Sequence, residues 1–313
     1  ELAGVEVFHG EGTLPRARRS GRDCRHGGVA GSIAGMLDAE VHALVTEAAR
    51  EPGPVLVLTG AGVSAESGIP TFRGAEGYWT VGSRNYHPQE LATAAAFAAM
   101  PREIWRWYLH RLAICRRAEP NAAHVALATL ERRVGDRFVL VTQNVDGLHL
   151  RAGNSPARTL QIHGNIEFMR CARGCSTALT PIPDDVVPAS IDAPLSDDAW
   201  AQLSCRRCGA PARPHVLWFD EFYDEALMRA QSAIGHARDA SLLVVVGTAG
   251  ATNLPLQIAN VVARLGRPIV DVNLDIDPFA DLARRSGGAH LRLRASEALP
   301  LLADAVATAF EQV

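Results

Sequence analysis

Lysine is missing from the sequence, so arginine supplies all 31 of its basic side chains. This absence excludes chemistry that depends on a lysine, such as a P-loop phosphate site, a Schiff base or a lysine general base. The chain also carries no lysine that it could modify on itself. We interpret the bias towards arginine as a property of the source genome.

Cysteines and long apolar runs are scarce as well. Six cysteines in 313 residues are too few for a disulfide scaffold, and four of them form two close pairs, a pattern typical of a metal site in a reducing compartment. No run of eighteen apolar residues occurs, so we expect no membrane span. The net charge of −3 gives no reason to expect nucleic acid as a partner. We expect a cytoplasmic monomer, with an organelle such as the mitochondrion as the alternative location.

The composition, 48% hydrophobic and 21% charged, predicts one large domain with a small one. Residues 1–32 are rich in glycine and arginine without apolar periodicity, which indicates a disordered leader. Their arginines also fit an organelle transit peptide, but interspersed acidic residues weaken that alternative. We expect residues 33–166 and 214–313 to form the main domain and residues 167–213 the small one.

A buried strand followed by a glycine-rich turn is the most informative local pattern. The apolar run Val55 to Leu58 predicts the strand, and Gly60-Ala61-Gly62 predicts a sharp turn that a phosphate could approach. Ser64 could cap a helix whose N-terminal amides point at a pyrophosphate. Because the spacing is not a strict GxGxxG, a simple tight turn between strand and helix is an equally good interpretation.

The longer stretch GAGVSAESGIPTFRG, residues 60–74, resembles the signature of the sirtuins, which are NAD-dependent protein deacylases. The resemblance implies a doubly wound, Rossmann-like parallel sheet that binds NAD, with a small inserted zinc module. It makes residues 74–91 the cofactor-binding loop, and Arg73 would steady that loop or the phosphates. The NAD contacts implied in this region are Gly60, Ala61, Gly62, Ser64, Glu66, Thr71, Phe72, Arg73, Tyr78 and Trp79.

A second block follows the predicted strand Phe138 to Thr142, at the end of a strand where open α/β sheets bind their ligands. Its sequence, QNVDGLH, is nearly identical to a sirtuin block. The resemblance implies that Gln143 contacts the nicotinamide ribose, and that Asn144 and Asp146 bind and orient the nicotinamide carboxamide. Without the resemblance, these side chains could equally be loop caps.

His163 is the predicted catalytic residue. It ends a short predicted strand in residues 160–165, and an imidazole titrates close to neutral pH, which suits a general base. The following glycine completes a match to the sirtuin His-Gly pair. We expect His124, His149 and His215 to matter less for the reaction.

Two cysteine pairs predict a structural zinc site. The pairs Cys171/Cys175 and Cys205/Cys208 together supply four thiolates, the set that holds zinc tetrahedrally and closed to water. The first pair has three intervening residues where the sirtuin pattern has two. Free dithiols or a redox pair are the alternative interpretations. The remaining two cysteines, Cys24 and Cys115, are expected to be inert.

The second half of the chain supplies further predicted strands, in residues 241–247 and 268–273. The resemblance implies that NAD is also contacted after these strands, by Gly247, Thr248, Ala249, Asn273 and Asp275. Ala249 stands where the family has a serine, so contacts from backbone amides would have to replace that hydroxyl. Asn and Asp at strand ends suit ribose hydroxyls.

The segment PARPHVLWFDEF, residues 211–222, resembles the sirtuin block that pairs with the substrate peptide as an added strand. By this resemblance Val216, Trp218 and Phe219 flank the tunnel for the acyl-lysine. Asp220 replaces the usual glycine. Its carboxylate could favour basic flanking residues in the substrate, or it could restrict the backbone.

Tyr108 and Arg111 lie three residues apart on a predicted helix and therefore share a face. In sirtuins that remove succinyl, malonyl or glutaryl groups, a Tyr-x-x-Arg motif holds the distal carboxylate of the acyl chain, and this pair resembles it. Ala75 matches the small residue of the pocket wall in those enzymes. A surface arginine beside a half-buried tyrosine is the alternative.

The implied reaction begins when the amide oxygen of an acyl-lysine in a protein or peptide attacks C1′ of the nicotinamide ribose and nicotinamide leaves. His163 then takes a proton from the ribose hydroxyls, and water releases lysine and O-acyl-ADP-ribose. Removal of acetyl groups without an acidic preference, and protein ADP-ribosyl transfer at the same NAD site, are alternatives. A non-catalytic NAD-binding module is a third, against which the presence of His163 argues.

Overall fold

The structure is a computed structural model that describes residues 37, 39–70, 79–81, 84–187 and 194–313, with the backbone alone for residues 79–81, 84 and 85. The predicted leader, residues 1–32, lies outside the described residues. Several other residues singled out in the sequence also fall outside them: Cys24, Thr71, Phe72, Arg73, Ala75 and Tyr78.

The described part of the chain is organised around a parallel six-stranded sheet with the order β11-β10-β9-β1-β4-β5. The strands are β1 (Val55–Thr59), β2 (Trp79–Val81), β3 (Arg84–Tyr86), β4 (Phe138–Thr142), β5 (Thr159–Gln161), β6 (Gly164–Cys171), β7 (Thr180–Pro181), β8 (Ala212–Val216), β9 (Leu242–Val246), β10 (Ile269–Val272) and β11 (Ala289–Leu291). All pairings within the large sheet are parallel, which confirms the predicted doubly wound sheet.

Helices cover both faces of this sheet. They are α1 (Ala39–Ala49), α2 (Pro88–Leu91), α3 (Ala94–Ala99), α4 (Pro101–Arg117), α5 (Ala122–Val134), α6 (Leu148–Arg151), α7 (Asp197–Gln202), α8 (Ala230–Asp239), α9 (Asn253–Arg264), α10 (Pro278–Arg285) and α11 (Ala295–Glu311). Short 3₁₀ helices span Ala61–Ser67, Gly135–Arg137 and Asp184–Val186. No helix among the described residues is both long and apolar enough to cross a membrane.

The apolar strands pack between two helical layers. Helices α1, α5 and α11 cover one face, where Val57 and Leu140 point, and helices α8, α9 and α10 cover the other, where Leu58 and Val141 point. Every residue of β1, β4 and β9 is buried. A continuous apolar run is what a parallel strand needs when both of its faces are covered.

The strand order places three loops at one crevice. Strand β1 has β4 on one side and β9 on the other, so the connections leave β1 in opposite directions. At such a switch point the carboxyl ends of the strands open a crevice in which α/β proteins bind ligands. The turns that begin at Gly60, Gln143 and Gly247 therefore meet at the same place.

A small antiparallel sheet of β7, β6 and β8 lies beside the large one. Helix α4 packs against it, and the indole nitrogen of Trp105 donates a hydrogen bond of 2.9 Å to the carbonyl oxygen of Ala212 in β8. The pairing of β6 with β8 shifts register between Gly164 and Met169.

The predicted strand that ends in His163 is wrong in its boundaries. Strand β5 stops at Gln161 and β6 starts at Gly164, so His163 lies in the connection between the two sheets. Gly164 has φ +88°, and a Cβ there would lie 2.1 Å from the carbonyl oxygen of His215. Only glycine allows this turn to pack so closely against β8.

Candidate active site

The glycines after β1 allow two backbone turns to touch. The amide of Gly60 donates to the carbonyl of Val246 at 3.0 Å, and that of Gly62 donates to the carbonyl of Gly247 at 2.8 Å. A Cβ on Gly62 would lie 2.7 Å from the Cα of Gly247, which itself adopts φ +58°. These glycines therefore hold the ends of β1 and β9 together at the crevice, a contact that the sequence did not reveal.

Ser64 does not cap a helix, contrary to the prediction. It lies inside the 3₁₀ helix Ala61–Ser67, whose N-cap residue Gly60 makes no side-chain cap. Ser64 is fully buried, and its hydroxyl donates to Oδ2 of Asp146 at 2.7 Å. The residue faces inward because the chain winds into a tight helix directly after the turn.

Asn144 and Asp146 join this buried polar cluster from the end of β4. The side-chain nitrogen Nδ2 of Asn144 donates to Oγ of Ser64 at 3.0 Å and to the carbonyl oxygen of Gly60 at 3.1 Å. Oδ1 of Asp146 accepts the backbone amide of Leu148 at 2.9 Å. Burial raises the pKa of Asp146, and its hydrogen bonds with Leu148 and Ser64 oppose that rise.

Gln143 bridges three turns of the crevice. Its amide nitrogen donates to Oγ1 of Thr248 at 2.8 Å and to the carbonyl of Thr59 at 3.2 Å. Its side-chain oxygen accepts the hydroxyl of Thr252, the N-cap residue of α9, at 3.2 Å. The residue predicted to contact a ribose is thus fixed by partners from β1 and β9.

The end of β10 reaches the same turn. The side-chain nitrogen of Asn273 donates to the carbonyl of Thr248 at 2.8 Å, and Thr248 is itself buried. Ala249 follows in this turn and is partly buried, whereas Asp275 is exposed. Asp277 caps α10, since its Oδ1 accepts the amide of Phe279 at 2.8 Å.

The imidazole of His163 lies partly exposed at the crevice. Burial lowers its pKa to about 4, and a hydrogen bond with the backbone of Gln143 opposes that shift. The ring is therefore neutral at pH 7, which is the form that can accept a proton. Its Nε2 lies 2.7 Å from the hydroxyl oxygen of Tyr223. No local pattern in the sequence indicated this contact, because Tyr223 stands 60 residues further along the chain.

The other predicted control histidines have structural partners. His124 belongs to a capping box at the start of α5, where its Nδ1 accepts the amide of Asn121 at 3.3 Å. Nε2 of His149 lies 3.0 Å from Oγ1 of Thr59, and its ring centroid is 4.8 Å from that of His124. His215 is buried in β8. Burial lowers the pKa of all three rings.

The structure brings Tyr108 and Trp218 into contact, with Arg111 nearby on α4. Tyr108 is buried, and its hydroxyl oxygen accepts the indole N–H of Trp218 at 2.8 Å. Burial raises the pKa of Tyr108, while the Trp218 bond and the nearby charge of Arg111 act in the opposite direction. The guanidinium of Arg111 also lies over the ring of Trp107, 5.3 Å from its centroid.

A buried ion pair supports the loop that follows β8. Arg213 stacks on Trp218 at 3.2 Å from the ring centroid and is paired with Glu221. Glu221 Oε2 accepts the backbone amide of Trp218 at 2.9 Å. In this loop Val216 and Trp218 are buried, whereas Phe219 is 59% exposed. Of the three residues predicted to flank the acyl-lysine tunnel, two are therefore enclosed and Phe219 faces solvent.

Asp220 caps a helix. Its two carboxylate oxygens accept the backbone amides of Ala94 at 2.8 Å and Ala95 at 3.2 Å, at the start of α3. Of the two interpretations of this residue, the geometry favours restriction of the backbone over attraction of basic substrate residues. The neighbouring amide of Phe219 donates to the carbonyl of Ala92, the C-cap residue of α2, at 2.9 Å, so the loop is attached to the end of α2 and to the start of α3.

The four paired cysteines form one cluster. Sγ of Cys171 is 3.6 Å from that of Cys208, Sγ of Cys175 is 3.5 Å from that of Cys205, and all four sulfurs lie within 4.8 Å of one another. Zinc held tetrahedrally by bonds of about 2.3 Å would place its sulfurs roughly 3.8 Å apart, so the cluster fits the ion. The extra residue in the first pair is accommodated by a turn at Gly174, which has φ +63°.

Cys115 is not part of the cluster. Its side chain is buried on α4, and burial raises the pKa of the thiol to about 12. A neutral, enclosed thiol is a poor nucleophile, as expected for an inert cysteine.

An open parallel sheet with a polar crevice at its switch point, next to a four-thiolate module, defines an α/β nucleotide-binding protein with a structural metal site. The model of the Sir2 family matches residues 60–253. A curated NAD-dependent protein deacylase from Thermus thermophilus is 40% identical over 257 residues, which cover 81% of this chain and 90% of that protein. The chain belongs to the Sir2 family.

Solved structures agree with this assignment. A mutant Sir2 homologue in complex with 2′-O-acetyl ADP ribose is 33% identical, with a TM-score of 0.69, and the match covers 88% of this chain and 98% of that one. A Sir2 complex with a p53 peptide and NAD⁺ is 30% identical, with a TM-score of 0.63 and coverage of 81% and 93%. The predicted sirtuin fold is confirmed.

Proposed function

We propose that this protein removes acidic acyl groups, such as succinyl, malonyl or glutaryl, from lysine side chains of proteins or peptides, forming nicotinamide and O-acyl-ADP-ribose. Its class, an NAD-dependent protein deacylase, follows from its family and from its curated relatives. The proposal concerns the acyl type, the products and the role of each residue. The observation that carries it is the buried contact between Tyr108 and Trp218, with the charge of Arg111 beside it.

The phenol of Tyr108 is oriented to donate a hydrogen bond. Its oxygen already accepts the indole N–H of Trp218, and a hydroxyl group that accepts a bond retains its own hydrogen as a donor. Burial raises the pKa of Tyr108, so the phenol is protonated at neutral pH. The position favours an acceptor, such as a carboxylate oxygen, over an apolar acyl end.

Arg111 supplies the positive charge that a carboxylate needs. It follows Tyr108 by three residues on α4, so both side chains lie on one helix face. Its charge acts on the Tyr108 hydroxyl strongly enough to oppose the rise in pKa. A guanidinium and a phenol donor together bind a carboxylate through charge-assisted hydrogen bonds, which an acetyl group cannot form.

The crevice residues fit NAD. Gln143, Asn144 and Asp146 lie at the ends of β1 and β4, and hydrogen bonds to Thr248 and Ser64 hold their side chains in place before any ligand binds. We assign Asn144 and Asp146 to the carboxamide of nicotinamide, because an amide and a carboxylate complement its oxygen and its NH₂ group. When bound, NAD supplies the electrophilic ribose carbon and the leaving group.

His163 is the proposed general base. Its neutral ring at the crevice can accept a proton from a sugar hydroxyl, while the bond with the Gln143 backbone orients it. The four cysteines would hold zinc in a structural role, since a closed set of four thiolates leaves no position for water or substrate.

The acyl preference is tested by comparing kcat/KM on succinyl-lysine and acetyl-lysine forms of one peptide. We expect the wild type to prefer the succinyl form, and Arg111→Met to lower its kcat/KM about 10- to 100-fold, the range expected for one lost charge-assisted interaction. On the acetyl peptide the same variant should change kcat/KM less than about 3-fold.

Arg117→Met is the matched control, because Arg117 is exposed on the same helix α4. It should leave both activities close to those of the wild type. Equal losses on the two peptides in Arg111→Met would contradict the proposed acyl type. Transfer of label from NAD to protein, without release of O-acyl-ADP-ribose, would instead indicate ADP-ribosyl transfer.

A further inference from the structure

We propose that Tyr223 is a positioning residue for His163: its phenol holds Nε2 of the imidazole in the free enzyme and gives way to a sugar hydroxyl when NAD binds. The inference rests on the proposed role of His163 as general base. It adds to that role a group from the loop that also carries the substrate-facing Trp218 and Phe219.

Tyr223 reaches the crevice from the loop between β8 and α8. Its ring is partly buried and packs against the apolar core beneath α8 and α9. The hydroxyl oxygen lies 2.7 Å from Nε2 of His163, and the two ring planes are tilted by 31° with their centroids 5.8 Å apart. The packing fixes the ring, so the hydroxyl is held against the imidazole.

The direction of this hydrogen bond follows from the protonation state of the two groups. Burial lowers the pKa of His163, so the ring is neutral at pH 7 and has one N–H and one acceptor nitrogen. We assign Nε2 as the acceptor, because the phenol is the donor that lies against it. Burial raises the pKa of Tyr223, so the phenol keeps its proton to donate. The tautomer held in this way keeps the lone pair of Nε2 directed towards the phenol.

Tyr223 is also connected to the cofactor side of the crevice. The side chain of Thr252 lies beside Tyr223 and opposes the rise in the pKa of Tyr223 that burial causes. Thr252 in turn donates to the side-chain oxygen of Gln143 at 3.2 Å, and Gln143 donates to Thr248 at 2.8 Å. The contacts therefore run from the proposed base to the residue assigned to the ribose.

The phenol of Tyr223 donates to the lone pair of Nε2, which is the lone pair that His163 must use as a general base. A general base accepts its proton through a direct hydrogen bond, so the sugar hydroxyl has to replace the phenol at Nε2. Tyr223 thus keeps the imidazole oriented and neutral before binding. Phenylalanine at position 223 would preserve the packing and remove only this bond.

The test is an NMR titration of His163 in free enzyme labelled with ¹⁵N-histidine, with its signal assigned by its loss in His163→Asn. A donor to the neutral ring lowers the pKa of the ring, so Tyr223→Phe should raise the pKa of His163 by about half to one pH unit. With saturating NAD, the pKa of His163 should differ much less between the wild type and Tyr223→Phe. In both proteins the imidazole of His163 then contacts the sugar hydroxyl of NAD instead of residue 223.

Tyr108→Phe is the control, because the hydroxyl that it removes bonds to Trp218 and not to His163. The pKa of His163 should not change in this variant. An unchanged pKa in free Tyr223→Phe would overturn the inference. A difference that persists fully with NAD bound would overturn the exchange of partners.

The pH dependence of the kinetics also distinguishes the free enzyme from the complex. On an acetyl-lysine peptide without acidic residues, the acid limb of kcat/KM reports the free enzyme and that of kcat reports the complex. Tyr223→Phe should move the first limb to higher pH and leave the second in place. Equal shifts, or none, would contradict the proposal. Failure of the general-base assignment is distinct, because it would appear as full turnover by His163→Asn.

Discussion

The large parallel sheet and the small antiparallel sheet are stabilised in different ways. In the large sheet, Val57 of β1 pairs with Leu140 on one side and Val244 on the other, and both faces are buried under helices. The small sheet has a two-residue strand, β7, and a shifted register, and its strand β6 ends at Cys171 in the sulfur cluster. Zinc on the four cysteines would add stability to a sheet whose strand pairing is short and irregular.

The proposed binding residues for NAD and for the acyl chain also lie in different regions. The residues assigned to NAD stand at the strand ends of the large sheet, and those assigned to the acyl chain stand on α4 and in the loop after β8. His163 lies in the connection between the sheets, and its Nε2 contacts the hydroxyl of Tyr223 in the loop after β8. Stability and catalysis can therefore be perturbed separately in each region.

Removal of zinc should have the largest effect. We expect chelation to unfold residues 171–212, because structural zinc contributes about 10 kcal/mol or more to the folding of small modules. Hydrogen exchange followed by mass spectrometry should show rapid exchange there, while β1 and β9 stay protected. Cys115→Ser is the control, since its thiol is outside the cluster. Unchanged exchange after complete loss of zinc would show that the small sheet is stable by itself.

Replacement of the proposed base should be the next largest effect. His163→Ala is expected to lower kcat about 10²- to 10⁴-fold, the usual contribution of a general base, without loss of folding. His236→Ala on α8 is the matched control and should retain activity. Single-turnover assays of nicotinamide release and of product formation would identify the affected step. Wild-type turnover by His163→Ala would exclude this residue as the base.

Acid should destabilise both regions through buried histidines. The pKa of His124 and of His215 is lowered from 6.5 to about 4 by burial, so these rings stay neutral in the folded chain while the unfolded chain binds protons below pH 6.5. Stability is therefore present above pH 6.5 and falls as the pH drops towards 4. Each of the two histidines should lower the free energy of unfolding by ~2 kcal/mol at pH 5.

Urea unfolding at pH 7 and pH 5 measures this loss. His215→Asn should reduce the pH dependence in the small sheet without affecting the part due to His124. An unfolding free energy that is equal at both pH values would show that these rings are protonated in the folded state.

Loss of the α3 cap should have the smallest effect. Asp220→Ala removes the acceptor for two backbone amides and should lower the free energy of unfolding by about 1 kcal/mol. Asp220→Asn keeps an acceptor oxygen and should lose less. Urea unfolding at pH 7 measures the loss of stability in both variants. If Asp220→Ala is as stable as the wild type and instead changes the preference for basic peptides, the carboxylate serves the substrate.

Patterns that act locally were predicted well from the sequence. The apolar runs of β1, β4 and β9 coincide with strands, and the two cysteine pairs form the cluster, because each depends on residues close in the chain. Two local expectations were wrong. Ser64 enters a 3₁₀ helix as a buried donor, and His163 follows a strand instead of ending it, since Gly164 must turn against β8.

By itself, the sequence determined the parallel sheet, the thiolate cluster and the family, because hydrophobic periodicity, ligand spacing and motif identity are written in consecutive residues. Tertiary structure alone decided that Gly62 meets Gly247, that Asp220 caps α3 and that Tyr223 bonds to His163. These partners are separated by 60 to 185 residues. Such contacts exist only once segments far apart in the chain have packed against one another, so no pattern in consecutive residues can indicate them.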